Sequence, residues 1–310
     1  MELLKTNGLI QALFLVLLTA LACTKVTLQG RVSRRYIRVA QDSVLYNALF
    51  FSAVALALFI VFPQSSPTPE IVLLALLSGV CNAMFQILYS IALNEGPVSL
   101  TVLMTGFSVF FPTVLCIAVF HEKLFLTQFV GVLLLLASMI LNAGHGPNDK
   151  KGSVKWIVLT LLAMLASGGT GCIQKLFYST ESSAMPNSTN TFLVTVYIFS
   201  ALLSFATYFF GKYTGKKEKS SFWFNKNVLF YALGIGVVLA VFQKLYMLGI
   251  AAIDGSVFFP TYSGMTSLAM TAIGIVLFKD HLSRRQWLGV LCGIASVALI
   301  NIKIGICLIG

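Results

Sequence analysis

Long uncharged apolar runs, separated by short polar breaks, organise the chain from end to end. They cover residues 8–29, 43–62, 71–94, 98–120, 124–143, 154–177, 190–211, 228–252, 256–278 and 286–302. A helix needs about 20 apolar residues to cross a bilayer, so this pattern predicts ten transmembrane helices. The runs are too long and too uniformly apolar for barrel strands, which alternate in polarity over about ten residues. Between 71 and 143, three runs are parted only by Asn94-Glu95-Gly96-Pro97 and His121-Glu122-Lys123, so the helices they join must be antiparallel neighbours. The first run lacks an A-x-A-like cleavage site and leads into Lys25 and a basic segment, which reads as a retained helix rather than a signal peptide.

Composition agrees. Of 310 residues, 58% are hydrophobic and 10% charged, against roughly 45–50% apolar in soluble domains. Ten spans consume nearly the whole length, leaving little for any soluble domain. The formal charge of +11 does not indicate nucleic acid, because the basic residues are dispersed among loops. Arg31, Arg34, Arg35 and Arg38 follow the first run, Lys150 and Lys151 the fifth, Lys212, Lys216, Lys217, Lys219 and Lys226 the seventh, and Lys279, Arg284 and Arg285 the ninth. Those four loops fall on one face, and the positive-inside rule makes that face cytoplasmic and both termini external. The expected location is the cell (inner) membrane, as a multi-pass protein in contact with lipid. Cys23, Cys81, Cys116, Cys172, Cys292 and Cys307 lack C-x-x-C or metal-ligand spacing and read as small core residues, so no metal or cofactor is expected.

The chain also repeats itself. Phe85-Gln86-Ile87-Leu88-Tyr89 returns as Phe242-Gln243-Lys244-Leu245-Tyr246, and Gln128-Phe129-Val130-Gly131-Val132-Leu133 as Gln286-Trp287-Leu288-Gly289-Val290-Leu291. Ala137-Ser138 matches Ala295-Ser296, and Glu122-Lys123-Leu124 faces Asp280-His281-Leu282. Runs three to five therefore correspond to runs eight to ten. Each copy holds five spans, an odd number, so the second must thread the membrane in the opposite sense. This predicts two inverted five-helix repeats, residues 1–145 and 152–304, an architecture used by secondary transporters.

These residues carry a resemblance to a known family. Lys25 and Lys175 near the ends of the first and sixth spans, Gly96-Pro97-Val98-Ser99 opening the fourth, Pro112 within it, Glu122 and Leu124 before the fifth, and Gln128 with Gly131 inside it are similar to the drug/metabolite transporter (DMT) superfamily, in its EamA-like branch. Gly255-Ser256, Asp280, Leu282, Gln286 and Gly289 are the second-copy counterparts, and the likeness covers roughly residues 8–302. The resemblance implies an all-α membrane protein of ten helices in two inverted repeats. It also implies a central cavity lined mainly by helices one, three, four, six, eight and nine.

Polar groups inside hydrocarbon are expensive unless partnered, and so mark candidate binding positions. Asn82, Gln86 and Tyr89 share one stripe of the third span, and Gln243 and Tyr246 repeat the last two in the eighth. The fourth span offers Thr101, Thr105 and Ser108, and the ninth Tyr262, Ser263 and Thr266. Together they would give donors, acceptors and flat apolar rings to a small organic ligand; the same side chains could instead bond helix to helix. Lys25 and Lys175 read either as gating or anion-attracting residues or as snorkelling cations, whereas Lys244 lies about 100° around the helix from Gln243 and points away from the stripe. All ten acidic residues fall at termini, loops or helix ends, so no span holds a carboxylate to neutralise a cationic drug or carry a coupled proton.

The expected function is a secondary transporter of a small neutral, zwitterionic or anionic metabolite, such as an amino acid, working by alternating access. An exporter of amphiphilic drugs and a non-transporting scaffold or sensor are the alternatives. No H-E-x-x-H, G-x-S-x-G or Walker-type loop is present, and His121, His145 and His281 lie in loops, so an enzyme is not expected. The sequence leaves monomer and homodimer equally open.

Overall fold

In lipid no water is available to satisfy backbone N–H and C=O groups, so a spanning segment must satisfy its own, which an α-helix does. The computed structural model describes residues 8–36, 40–95, 101, 104–142, 153–214, 226–278, 283–302 and 307–309. Its α-helices are α1 (Gly8–Tyr36), α2 (Ala40–Val61), α3 (Pro69–Glu95), α4 (Phe110–Ala118), α5 (Leu126–Asn142), α6 (Val154–Phe177), α7 (Ser188–Thr214), α8 (Lys226–Ala252), α9 (Gly255–Phe278) and α10 (Arg284–Ile300). A two-stranded pairing joins β1 (Leu124–Phe125) to β2 (Cys307–Ile309) antiparallel. Among the described residues, six helices are long and apolar enough to cross a membrane: α1, α2, α3, α6, α7 and α8. The chain is thus a helical, multi-pass membrane protein, and large apolar side chains such as Leu9, Phe59, Phe210 and Phe230 stand exposed on its outer surface, where lipid would meet them.

Most helix bounds lie within a few residues of the apolar runs. Two depart. Helix α1 continues past residue 29 to Tyr36, because Arg31, Arg34 and Arg35 end an apolar run without breaking a helix. The fourth run is not one regular helix: a 3₁₀ turn at Phe107–Val109 precedes α4. The donor that Pro112 lacks is one reason for irregularity there. Gly96-Pro97-Val98-Ser99, Asp280, Leu282 and the basic positions Arg38, Lys150, Lys151, Lys216, Lys217, Lys219 and Lys279 lie outside the described residues.

The principal helix pairs are α5 with α10, α2 with α7, α3 with both α6 and α7, α8 with both α1 and α2, and α9 with α1, α4 and α10. Helix α4 also packs on α6. Fully buried aromatic rings from α2, α6, α7 and α9 (Phe50, Phe51, Phe177, Phe192, Phe258) fill the centre.

The motifs that repeat in the sequence have matching local jobs. Gln128 Oε1 accepts from Phe125 N at 3.0 Å and Gln286 Oε1 from Ser283 N at 2.9 Å, so each glutamine satisfies an orphan donor at the start of its helix. Between α5 and α10, Ser138 Oγ donates to Gly289 O at 2.7 Å. In the reciprocal place, a Cβ on Gly131 would sit 3.1 Å from Ser296 O and 2.9 Å from Ile300 N. Close approach of these two backbones therefore requires glycine at 131.

Candidate functional site

The mid-depth stripes of several helices converge on a cavity of about 340 Å³, near the lower end of the roughly 300–1,000 Å³ typical of small-molecule sites. Asn82 lies about midway along the 27 residues of α3, and Gln86 one turn farther. Both line the cavity, as do Gln243 and Tyr246 of α8, Tyr262, Ser263 and Thr266 of α9, Ser108 of the 3₁₀ turn and Lys25 of α1. Of the positions singled out in the sequence, Tyr89, Thr101, Thr105 and Lys175 lie outside this lining.

Geometry explains each of these. Thr101 is buried and accepts from Trp156 Nε1 at 2.8 Å. Tyr89 stacks on Phe85 with ring centroids 5.4 Å apart, and Phe85 rather than Tyr89 meets the cavity. Thr105 is buried and donates to Thr101 O at 2.9 Å, one turn back. In the 3₁₀ turn that follows, Ser108 rather than Thr105 meets the cavity. Lys175 belongs to a separate ion pair, described below.

The cavity wall alternates amides with rings. Asn82 Nδ2 donates to Ser200 Oγ at 3.2 Å, Ser108 and Ser167 share a hydroxyl bond of 2.9 Å, and Tyr197 Oη donates to Gln243 Oε1 at 3.4 Å. Tyr246 stands edge-on to Tyr262 at 5.2 Å, Phe242 lies 5.6 and 6.1 Å from these two rings, and Phe258 stacks on Tyr262 at 6.2 Å. This forms one connected aromatic wall across α8 and α9. No carboxylate lines the cavity among the described residues. Lys25 contributes its cation, and no ion pair or hydrogen bond of its side chain is found among the described residues.

Sequence reasoning missed part of this wall. Gln174, Ser167 and Thr170 of α6 line it, with Phe50 and Phe51 of α2 and Tyr197 of α7. Gln174 could have been found by the rule that singled out Gln86, a polar amide inside an apolar run. A second signal was the hexapeptide Ser108-Val109-Phe110-Phe111-Pro112-Thr113, which recurs intact as Ser256 to Thr261. Pro112 and Phe259, one from each copy, both line the cavity and approach Gly171 on α6.

At one end of the helices a polar latch joins three elements. Lys175 Nζ lies 2.8 Å from Glu122 Oε1, and the side chains are only 14% and 13% exposed. The same carboxylate accepts from Gly255 N at 3.1 Å and Ser256 N at 2.7 Å, the first amides of α9. Opposite charges and a helix N-terminus thus converge on one group. Burial alone would raise the Glu122 carboxyl, but the hydrogen bonds from Lys175 and the Ser256 and Gly255 amides outweigh it and hold the group below the ordinary carboxylate value. Lys244 is also placed away from the main cavity: its ammonium bonds Asn190 Oδ1 and sits 5.7 Å from the Phe62 ring centroid.

Comparison with known proteins fits this picture. A solved crystal structure aligns over 93% of this chain and 96% of its own, with a TM-score of 0.68 at 14% identity, a likeness that shows a shared fold. No curated protein matches the chain. The model of the EamA-like transporter family matches residues 10–144, which contain α1 to α5, the Gln86 stripe and Glu122. Over those residues, somewhat under half of its length, the chain is similar to the EamA-like transporter family.

Proposed function

We propose that the protein is a secondary transporter that moves a small organic metabolite across the cell membrane by alternating access. Its two halves, residues 1–145 and 152–304, are read as five-helix repeats threaded in opposite senses. The helix pairing supports this. Exchanging each helix with the one five places along turns the α3–α6 contact into α8–α1, α3–α7 into α8–α2, and α4–α6 into α9–α1. The α5–α10, α2–α7 and α4–α9 pairs map onto themselves. Reciprocal contacts are the mark of a two-fold relation, and Ser138 meets Gly289 where the backbone of Ser296 meets Gly131, although the Ser296 hydroxyl itself donates to Gly293 O.

The observation that carries the reading is the cavity itself. It lies beside the middle of α3, draws its wall from both proposed halves, and presents amides, hydroxyls and rings without a carboxylate among the described residues. A site between inverted repeats becomes accessible to one face and then the other as the halves rock. Asn82, Gln86, Gln243, Tyr246, Tyr262, Ser108 and Thr266 are the proposed substrate contacts, with Lys25 attracting an anionic group. Tyr89, Thr105 and Lys175 act at one remove, through Phe85, through Thr101 and through the latch.

Counterflow in proteoliposomes tests the proposal. Loading the lumen with unlabelled members of a metabolite panel should accelerate uptake of the labelled counterpart, and a double Gln86→Ala, Gln243→Ala variant should lose that acceleration. Absence of trans-stimulation across neutral, zwitterionic and anionic classes would refute transport and favour a scaffold.

A further inference from the structure

A cation in the wall of a mid-membrane cavity must be balanced. A lysine at the centre of a spanning helix costs roughly 2.5–3.5 kcal/mol even where lipid and water can adapt. Such residues are therefore paired or functional. Lys175 is paired with Glu122, Lys155 with Glu95, and Lys244 with the Asn190 amide oxygen. Lys25 differs: it lies within α1, lines the cavity, and makes no ion pair or hydrogen bond among the described residues.

The groups around it complete an anion's surroundings. Gln86 and Gln174 line the same cavity, and no hydrogen bond of either side chain is found among the described residues. Amide N–H groups donate to carboxylate oxygens, and the lysine ammonium supplies up to three more donors. The rings of Phe242, Tyr246, Tyr262 and Phe259 also line it, and such an aromatic wall favours a flat apolar body. An ammonium group on the ligand would find no carboxylate among the described lining residues and would repel Lys25.

We infer that the cavity selects small organic acids carrying one carboxylate and a flat apolar group, with the carboxylate held by Lys25, Gln86 and Gln174 and the ring against the α8–α9 aromatic wall. This narrows the transporter reading and rests on it for the cavity's role. The ligand would supply a counter-charge that Lys25 does not find among the described residues, so that occupancy and charge balance are one event.

Two consequences are measurable on the purified full chain by thermal unfolding in detergent. Benzoate, 3-phenylpropionate and indole-3-acetate are each compared with the matching amide and amine, and phenylalanine serves as the zwitterionic analogue of phenylpropionate. At least one carboxylate should raise the unfolding midpoint, with amide, amine and zwitterion weaker. Lys25→Met should reduce its apparent affinity at least about tenfold, the equivalent of one charge-assisted bond, while Lys25→Arg keeps most of it. Without ligand, Lys25→Met and Lys25→Gln should unfold at or above the wild-type midpoint, since each removes an unbalanced charge. Lys155→Met, at an exposed pair, is the control. Amines or amides that stabilise as well as the acids, a carboxylate effect surviving Lys25→Met, or no effect from any acid would each overturn the inference, as would unliganded Lys25→Met and Lys25→Gln variants both much less stable than wild type. A stabilising acid that shows no counterflow would remove transport and leave the anion site standing; counterflow of amines would do the reverse.

Discussion

Replacing Glu122 by alanine takes away the acceptor on which Lys175 and the start of α9 both depend. Three hydrogen bonds go at once, from Lys175 Nζ, Gly255 N and Ser256 N. Loss of a helix N-terminal acceptor costs about 1 kcal/mol. Breaking a buried ion pair costs about 3–5 kcal/mol and an exposed one at most about 1 kcal/mol. The pair here is mostly covered yet sits at the helix ends, next to solvent, so about 1–2 kcal/mol is the reasonable share. The sum, about 2–3 kcal/mol, would shift the balance between latched and unlatched forms by about 30- to 150-fold at 1.4 kcal/mol per decade. Cys116 reports the shift. It is buried, and its Sγ would lie only 2.3 Å from a Cβ on Gly255, directly under the latch. With Cys116 as the sole cysteine, an impermeant maleimide should label it at least tenfold faster in Glu122→Ala than in the parent, and the unfolding midpoint should fall. Unchanged labelling and an unchanged midpoint would show that the contact carries no weight in closure.

Lys175→Met should be milder than Glu122→Ala, by about 1 kcal/mol, because the carboxylate keeps its two α9 amides; equal unfolding midpoints would contradict the helix-start contribution. The depressed Glu122 carboxyl makes its stabilisation complete above the ordinary value of about 4.3 and lost as pH falls through the lower folded value. The midpoint gap between wild type and Glu122→Gln should therefore hold from pH 7 to about 5 and narrow below about 4; a gap that closes by pH 6 would reverse the assigned direction. Gly168→Ala drives a methyl to 2.4 Å from Phe111 Cδ2 and 2.9 Å from its Cβ, an overpacking expected to cost about 1–3 kcal/mol. Gly234→Ala meets nothing within 4 Å and should be neutral or gain up to about 1 kcal/mol from helix propensity, so similar unfolding midpoints for the two variants would be inconsistent with this packing.

The spans were legible because hydrocarbon imposes one rule, that the backbone satisfy itself, and the sequence obeys it in continuous runs. Asn82, Gln86, Gln243 and Tyr262 were legible for a related reason: polar atoms stand out where nothing else is polar. Phe50, Phe51 and Tyr197 were not, since an aromatic ring reads the same in a core and in a cavity wall. The 3₁₀ turn at Phe107–Val109 was not legible either, since composition does not encode a three-residue change of helical step. Glu122 lies in a three-residue polar break, and its partners are 53 and 134 residues away in sequence; only the folded arrangement of α4, α6 and α9 brings them together.

Sided labelling of one cysteine placed at Ser263, in the cavity wall, tests alternating access most directly. In vesicles of each orientation the same Ser263→Cys thiol should react with an impermeant reagent from both faces, and adding Glu122→Ala should shift the ratio of the two rates in favour of the latch side. Reaction from one face alone, with and without Glu122→Ala, would mean that the cavity is a fixed cleft and that the two halves do not rock around it.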